Sequence, residues 1–258
     1  MTIAYFPIQG IGERIYSPSG PIDTTNGPFG SFRAGETVLG DGGARFTYCT
    51  FVATAAQVLK QGDLLCIDNN FVALKATTTN AIIGMKVGTF FCGGIFGSVS
   101  APAGAFSVTF GAAGTYGLWV QTDGISLLNC ASTATAAKTV TTTATGGQAD
   151  APTGGAATGT KTLVGVYLPA TSYTFTATGA NASTTLTAIS TTTGIYPNQT
   201  LSGTGVASSQ TISSINGNPG NYSITLSAVT SASATTATMT ATGYIEAYLN
   251  NAYVGATN

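Results

Sequence analysis

Few residues of this sequence have side chains suited to catalysis or to metal binding. The chain of 258 residues contains no histidine, which excludes histidine-based catalytic triads and histidine-ligated metals. Most of the acidic residues lie beside glycine or asparagine, a placement typical of turns. They are Glu13, Asp23, Glu36, Asp41, Asp63, Asp68, Asp123, Asp150 and Glu246. Because the acidic residues are scattered, we expect no pocket of clustered catalytic groups, and we predict that the protein is not an enzyme.

Asp63 and Asp68 are the two carboxylates that could form a hydrolytic dyad. They flank a short predicted strand, and residues five positions apart on a strand point to opposite faces, so a shared site is not expected. Gly40–Gly43 could be a calcium or phosphate loop. It lacks a second acid at EF-hand spacing and a following Lys-Ser or Lys-Thr, and we interpret it as a turn. The sequence therefore predicts no metal and no cofactor.

The cysteines are widely spaced and form no CxxC motif. We interpret them as small buried apolar residues in a reducing compartment. Disulfides and a zinc site are the alternatives. The residues are Cys49, Cys66, Cys92 and Cys130.

Charged residues are rare: they make up 7% of the chain, and the net charge is −1. Lysine and arginine are scattered singly, so no basic face for nucleic acid is predicted. Because a free monomer normally relies on charge to stay dispersed, we favour permanent assembly with other protein over export as a Thr/Ser/Gly-rich module. Met1–Gln9 lacks the pattern of a signal peptide, and no run approaches the roughly 18 apolar residues of a membrane helix, so no membrane contact is expected.

The stretch GAAGTYGLWVQTDG, residues 111–124, is predicted to be the central strand of a β-domain. Its large side chains alternate, so that Leu118 and Trp119 lie on opposite faces of a half-buried strand. Asp123-Gly124 is predicted to be a turn, since glycine reaches positive φ without a Cβ clash. We interpret Trp119, the only tryptophan, as a core residue; a platform for sugar stacking is the alternative.

Residues 1–44 are predicted to be an extended arm, because they are rich in proline and glycine. Aromatic residues in such an arm are suited to lying along a neighbouring subunit; folding back over the arm's own domain is the alternative. These candidate contact residues are Tyr5, Phe6, Tyr16, Phe29 and Phe32.

The rest of the chain indicates an all-β protein. Residues 45–171 and 243–258 are predicted to form one base domain, a β-barrel or sandwich, closed by pairing of Leu163–Leu168 with Tyr244–Leu249. The other predicted strands of this domain include Arg45–Val52, Gly62–Asp68, Phe71–Lys75, Ala81–Val87 and Ala105–Phe110. Gly62–Asp68 and Phe71–Lys75 are expected to form a hairpin.

Residues 172–242 are predicted to be a small β-sandwich inserted into the base domain. This segment has no charged residue and contains five short strand patterns at close spacing. Asn218-Pro219-Gly220-Asn221 is predicted to be a type II turn, with proline at its second position and glycine at its third.

Two stretches resemble virion proteins of tailed phages. Gly42–Ala170 is similar to head decoration (capsid cement) proteins: GGARFTYCTFVATAA is followed by GDLLCIDNN, IIGMKVGTF, GTYGLWVQTDG and LVGVYLPA. Residues 183–242 resemble a Thr/Ser-rich module of phage structural proteins, through Gln199–Val206 and Asn221–Ser223.

The resemblance implies a non-enzymatic protein that binds the major capsid protein on the outer surface of the head and stabilises the shell, commonly as a trimer. It implies synthesis in the host cytoplasm and no catalytic residues. The alternative is a head or tail fibre component that adheres to host surface glycans through residues 172–242. An exported bacterial adhesin or surface-layer fragment is a third hypothesis, which the missing signal peptide counts against.

Overall fold

The computed structural model of the chain is almost entirely β-structure in the residues that it describes, 62% of which lie in strands, and this confirms the predicted all-β class. It describes residues 34–40, 43–54, 57–91, 107–110, 113–131, 139–151, 159–170, 172–207 and 210–257. Outside residues 172–242 the strands, numbered in chain order, are β1 (Thr37–Leu39), β2 (Arg45–Ala53), β3 (Gln57–Lys60), β4 (Leu64–Ile67), β5 (Val72–Lys75), β6 (Lys86–Phe90), β7 (Ser107–Phe110), β8 (Gly114–Asn129), β9 (Thr141–Thr142), β10 (Ala149–Asp150), β11 (Lys161–Tyr167) and β18 (Tyr244–Thr257). Within residues 172–242 they are β12 (Ser172–Gly179), β13 (Thr185–Thr187), β14 (Thr200–Gly203), β15 (Gln210–Asn218), β16 (Asn221–Leu226) and β17 (Ala234–Thr242).

Five strands before residue 130 close into a ring. β2, β5, β4, β6 and β8 pair in that order, and β8 pairs back to β2. The β2–β5 pair is parallel and the other four pairs of the ring are antiparallel. The ring surrounds an apolar core, to which the separate antiparallel pair of β3 and β7 adds Leu59 and Phe110. Closure removes the open sheet edges that otherwise invite aggregation.

β8 is the central strand that the sequence predicts, but it is longer than predicted. Its first part pairs with β2 as far as Asp123, and its second part pairs with β18 from Gly124 onward. The predicted turn at Asp123-Gly124 is therefore wrong: the chain changes partner there without leaving the sheet. Gly124 has φ +88°, and a Cβ at this position would lie 2.9 Å from the Ala44 Cα, so the backbones come too close for a side chain.

Both faces of β8 are buried in its first part, up to Thr122, where the sequence pattern predicts a half-buried strand. Leu118 points into the ring core, whereas Trp119 packs on the opposite face against Phe46 and Tyr48. The Tyr48 and Trp119 rings meet edge to face with their centroids 5.2 Å apart. Trp119 is 0% exposed, which confirms that it is a core residue.

A second core lies on the other side of β4, beneath β11 and β18. Leu64 and Cys66 of β4 point into it, and Leu65 and Ile67 point into the ring, so β4 is buried on both faces. The predicted pairing of residues 163–168 with 244–249 is confirmed at Val166 and Tyr167, which lie opposite Leu249 and Tyr248. Leu163 and Val164 pair farther along β18, with Val254 and Tyr253.

Two parts of the base differ from the prediction. The hairpin of β4 and β5 forms as predicted, but Ala81–Val87 is not a strand: Ile82 and Ile83 lie in a turn, and β6 begins only at Lys86. In this turn the Met85 N–H donates to the Ile82 carbonyl. The side chains of Ile82 and Ile83, which the sequence pattern assigns to a strand, are therefore exposed to solvent. Within the predicted arm, β1 pairs with β2.

The strands of residues 172–242 close into a six-stranded barrel, in the order β12, β13, β16, β15, β14, β17. A sandwich would have two separate sheets; here one ring surrounds the core. The sixth strand, β14, is not among the five predicted, because Thr200–Gly203 is short and has a single buried leucine, Leu201. The Pro219-Gly220 turn joins β15 to β16 as predicted, with Gly220 at φ +88°.

Candidate functional site

The contact residues predicted from the sequence all lie in the predicted arm. Tyr5, Phe6, Tyr16, Phe29 and Phe32 belong to residues 1–33, which are outside the described part of the chain. Their role stays a prediction. The described residues nevertheless offer two features beyond ordinary packing: a buried charged cluster and an exposed aromatic face.

The carboxylates of Asp63 and Asp68 have different partners, as the strand geometry predicts. Asp68 Oδ1 accepts hydrogen bonds from the backbone N–H groups of Asn70 and Val72, both at 2.8 Å. This is the turn role that the sequence indicates. Asp63 does not follow that interpretation, because it is 1% exposed and binds side chains from two other strands.

The buried cluster consists of Asp63, which is buried, and of Lys75 and Asn129, which are half-buried. Asp63 Oδ2 lies 3.0 Å from Lys75 Nζ. Asp63 Oδ1 accepts a hydrogen bond from Asn129 Nδ2 at 2.9 Å. The Lys60 N–H donates to Oδ2 at 3.0 Å and fixes the carboxylate. This cluster is missed by sequence reasoning, since Asn129 is 66 positions from Asp63 and nothing local connects them.

The described cysteines are buried in apolar surroundings, as predicted. Cys49, Cys66 and Cys130 are free thiols, and Cys92 lies outside the described residues. Burial raises the pKa of Cys49 and of Cys66 to about 12, with the nearby Asp68 charge adding to the shift at Cys49. The reactive thiolate is therefore strongly disfavoured at neutral pH.

The outer side of β11 and β18 carries large apolar side chains in solvent. These residues, called the β11–β18 face below, are Val164, Tyr167, Tyr248 and Tyr253. They are between 37% and 55% exposed. Tyr167 lies opposite Tyr248, and Val164 lies opposite Tyr253, so each pair projects from one side of the sheet. The adjacent residues Leu163, Leu249 and Val254 point the other way, into the core.

An irregular register keeps the β11–β18 face on one side. Strict alternation would place Val164 and Tyr167 on opposite sides of β11, but the pairing shifts between Val164 and Val166. Gly165 sits at this shift with φ +80°, and a Cβ there would lie 2.4 Å from the Asn250 carbonyl oxygen. Only glycine fits, so the bulge is a built feature of the sheet.

The turn that precedes β6 lies beside β18 and carries two further exposed apolar side chains. Ile82 and Ile83 are 64% and 62% exposed, and the adjoining Gly84 N–H donates to the Val254 carbonyl. Lys86 lies opposite Tyr253 on the other neighbour of β18. Exposed apolar side chains grouped in this way mark an interaction surface more often than a solvated one.

The barrel is tied to the base through one buried amide. Gln199 is 0% exposed, and its Nε2 donates to the carbonyls of Gly194, at 2.9 Å, and of Tyr244 in β18. Its Oε1 accepts the Tyr196 N–H at 2.8 Å. Beside it, the Tyr196 hydroxyl donates to Glu246 Oε1. Burial and this bond raise the Tyr196 pKa, so the phenol stays protonated.

Replacing Gln199 with alanine is expected to destabilise the protein by about 3 kcal/mol, because two buried backbone carbonyls and one half-buried N–H lose their partner at once. Thermal and urea unfolding followed by far-UV circular dichroism measure the change. Gln57→Ala is the control: Gln57 Oε1 also accepts a backbone N–H, from Thr54, but at an exposed position where water replaces it. Equal losses in the two variants would contradict the structural role of Gln199.

Among the described residues, no three or more Cys, Asp or Glu side chains form a group that could hold a metal ion. In the same part of the chain, no helix has the length and hydrophobicity needed to cross a bilayer. Comparisons of the sequence and fold with protein-family models, with curated proteins and with solved structures found no match.

Proposed function

We propose that this protein is a non-enzymatic decoration (cement) protein of a tailed-phage virion, which binds the outer surface of the head and stabilises the shell. The observation that carries the proposal is the β11–β18 face. Three tyrosines and a valine stand in solvent on a rigid sheet, and tyrosine is enriched among the residues that dominate binding energy in protein interfaces. The resemblance of Gly42–Ala170 to decoration proteins gives the class of partner.

The proposed partner is the major capsid protein, with further copies of this chain around a symmetry axis, a trimer being favoured. Contacts that are weak singly become strong together, since each later contact forms at a high effective concentration. A protein that stabilises a capsid shell also needs a rigid fold. Two closed rings of strands, each around its own apolar core, meet that need. Synthesis in the host cytoplasm agrees with the three free cysteines.

The low charge of the chain supports the same proposal. Charged residues make up only 7% of the sequence, and surfaces buried in an assembly are depleted in charge relative to free ones. In the proposed arrangement the β11–β18 face lies on the capsid, and the arm, with its five aromatic residues, reaches a neighbouring subunit.

Binding to undecorated heads tests this function. The purified chain is mixed with emptied heads of the virus that encodes it, the heads are sedimented, and the bound copies are counted over a concentration series. Wild-type protein is expected to saturate at high copy number. Tyr167→Ala combined with Tyr248→Ala is expected to weaken binding at least about 10-fold, because each is a solvent-exposed anchor of the proposed interface.

Val229→Ala is the matched control, since Val229 is also an exposed large apolar residue, 51% exposed, but lies in the barrel. It is expected to bind as wild type does. A chain lacking residues 1–33, which retains every described residue, separates the contribution of the arm. Wild-type protein that stays in the supernatant would overturn the proposal. If that protein instead bound host cells or purified surface glycans, the fibre alternative would replace it.

A further inference from the structure

We propose that Lys75 and Asn129 become joined by an intramolecular isopeptide bond, with Asp63 as the acid–base group that promotes its formation. The bond would link the Lys75 side-chain nitrogen to the Asn129 side-chain carbon, and ammonia would leave. The inference rests on the buried cluster, in which an amine and a primary amide contact opposite oxygens of one carboxylate.

Both reacting side chains contact the carboxyl group of Asp63. Lys75 Nζ is 3.0 Å from Asp63 Oδ2, and Asn129 Nδ2 is 2.9 Å from Asp63 Oδ1. Nucleophile and leaving group therefore lie on the two sides of the same carboxyl group. Preorganisation of this kind supplies much of the rate in intramolecular reactions.

Rigid elements hold all three side chains. Lys75 is the last residue of β5 and Asn129 the last residue of β8, while Asp63 directly precedes β4. The backbone N–H of Asn129 donates to the Gly62 carbonyl at 2.8 Å, which fixes the end of β8 beside Asp63. Groups placed on paired strands keep their positions better than groups on loops.

Water is largely excluded from the carboxyl group. Asp63 is 1% exposed, and Gly147 covers it so closely that a Cβ at residue 147 would lie 2.9 Å from Asp63 Cγ. Tyr244, 5% exposed, also lies near, since the Asp63 charge adds to burial in raising the pKa of this phenol. The carboxyl group is therefore shielded from water, while the Lys75 side chain keeps 23% of its surface exposed.

The proposed reaction balances without an oxidant, reductant or co-reactant. The Lys75 ammonium gives a proton to Asp63, and the neutral amine attacks Asn129 Cγ to form a tetrahedral carbon. The carbon–nitrogen bond to the Asn129 amide nitrogen then breaks. The departing nitrogen takes up two protons, one from Asp63 and one from the attacking nitrogen, and leaves as an ammonium ion. The products are a secondary amide and one ammonium ion, so charge is conserved, and Asp63 returns to its starting form.

The intact mass of the full-length protein tests the proposal. The wild-type chain is expected to weigh about 17 Da less than its sequence requires, the mass of one ammonia. Lys75→Arg, Asn129→Ser and Asp63→Asn are each expected to weigh what their sequences require. The matched control is Asn80→Ser: the Asn80 amide binds the Lys75 backbone carbonyl at 3.3 Å, outside the cluster, so this variant should keep the deficit.

Tryptic mapping locates the bond. Trypsin does not cut after a lysine whose amine is acylated, so residues 61–86 are expected as one peptide joined to residues 87–138. Wild-type protein that has its full mass and is cut by trypsin after Lys75 would overturn the proposal. This test uses the wild-type protein alone, so it does not depend on whether the variants fold. A deficit of about 18 Da, with Lys75 joined to Asp63 through loss of water, would overturn the assignment of Asn129 as the acceptor.

Discussion

Replacing Gly117 with alanine is expected to destabilise the base by about 3 kcal/mol or more, a large share of the stability of a typical domain. Gly117 lies in the middle of β8, opposite Thr50 of β2. A Cβ at this position would be 1.7 Å from the Tyr48 hydroxyl oxygen and 2.4 Å from the ring carbon that bears it. Neither partner can move easily, because Tyr48 is fully buried against Trp119 and both strands belong to the closed ring.

Urea unfolding followed by the fluorescence of Trp119, the only tryptophan, measures this effect. Gly146→Ala is the control, because the nearest atom to its added Cβ is Lys75 Cδ at 3.5 Å, an ordinary contact. In a Tyr48→Leu background the Gly117→Ala change is expected to cost less, since the clashing atoms are gone. An equal cost in both backgrounds would contradict the steric explanation.

Trp119→Ala is expected to cost about 3–5 kcal/mol, the range for truncating a fully buried large aromatic side chain. The change leaves a cavity beside Phe46 and Tyr48 and removes the edge-to-face contact with Tyr48. Unfolding is followed by far-UV circular dichroism, since the variant lacks the fluorescent residue.

Trp119→Phe is the companion variant, and it keeps an aromatic ring in the same place. Its loss is expected to be clearly smaller, because part of the packing survives. If Trp119→Ala unfolded at the same urea concentration as wild type, Trp119 would not be the core residue that its burial indicates. If Trp119→Ala lost binding to sugars while its stability stayed unchanged, the alternative role of Trp119 as a platform for sugar stacking would be favoured.

Local patterns predict the parts of this fold that depend on neighbours in the chain. Alternation around Trp119 identifies β8, and Pro219-Gly220 identifies the turn between β15 and β16, because side-chain period and glycine geometry act within a few residues. The burial of Trp119 follows from the same reasoning. The β-branched residues Ile82 and Ile83 wrongly predict a strand, because the backbone turns there and this overrides their strand propensity.

Non-local features escape this reasoning. The closure of β8 onto β2 and the parallel pairing of β2 with β5 leave no mark in a single window of sequence. The bulge at Gly165, which sets the β11–β18 face, depends on the approach of β18 from far along the chain. For the same reason Asp63 reads as a turn residue, although its partners are Lys75 and Asn129.

The barrel of residues 172–242 begins and ends at one point. Ser172 pairs directly with Thr242, so the Cα atoms where the chain enters and leaves are neighbours, roughly 5 Å apart. A gap that small is bridged by a short peptide. The barrel is thus an insertion whose two ends leave the base side by side, and another domain with equally close ends can take its place, at the cost of the contacts of Gln199 with Tyr244 and of Tyr196 with Glu246.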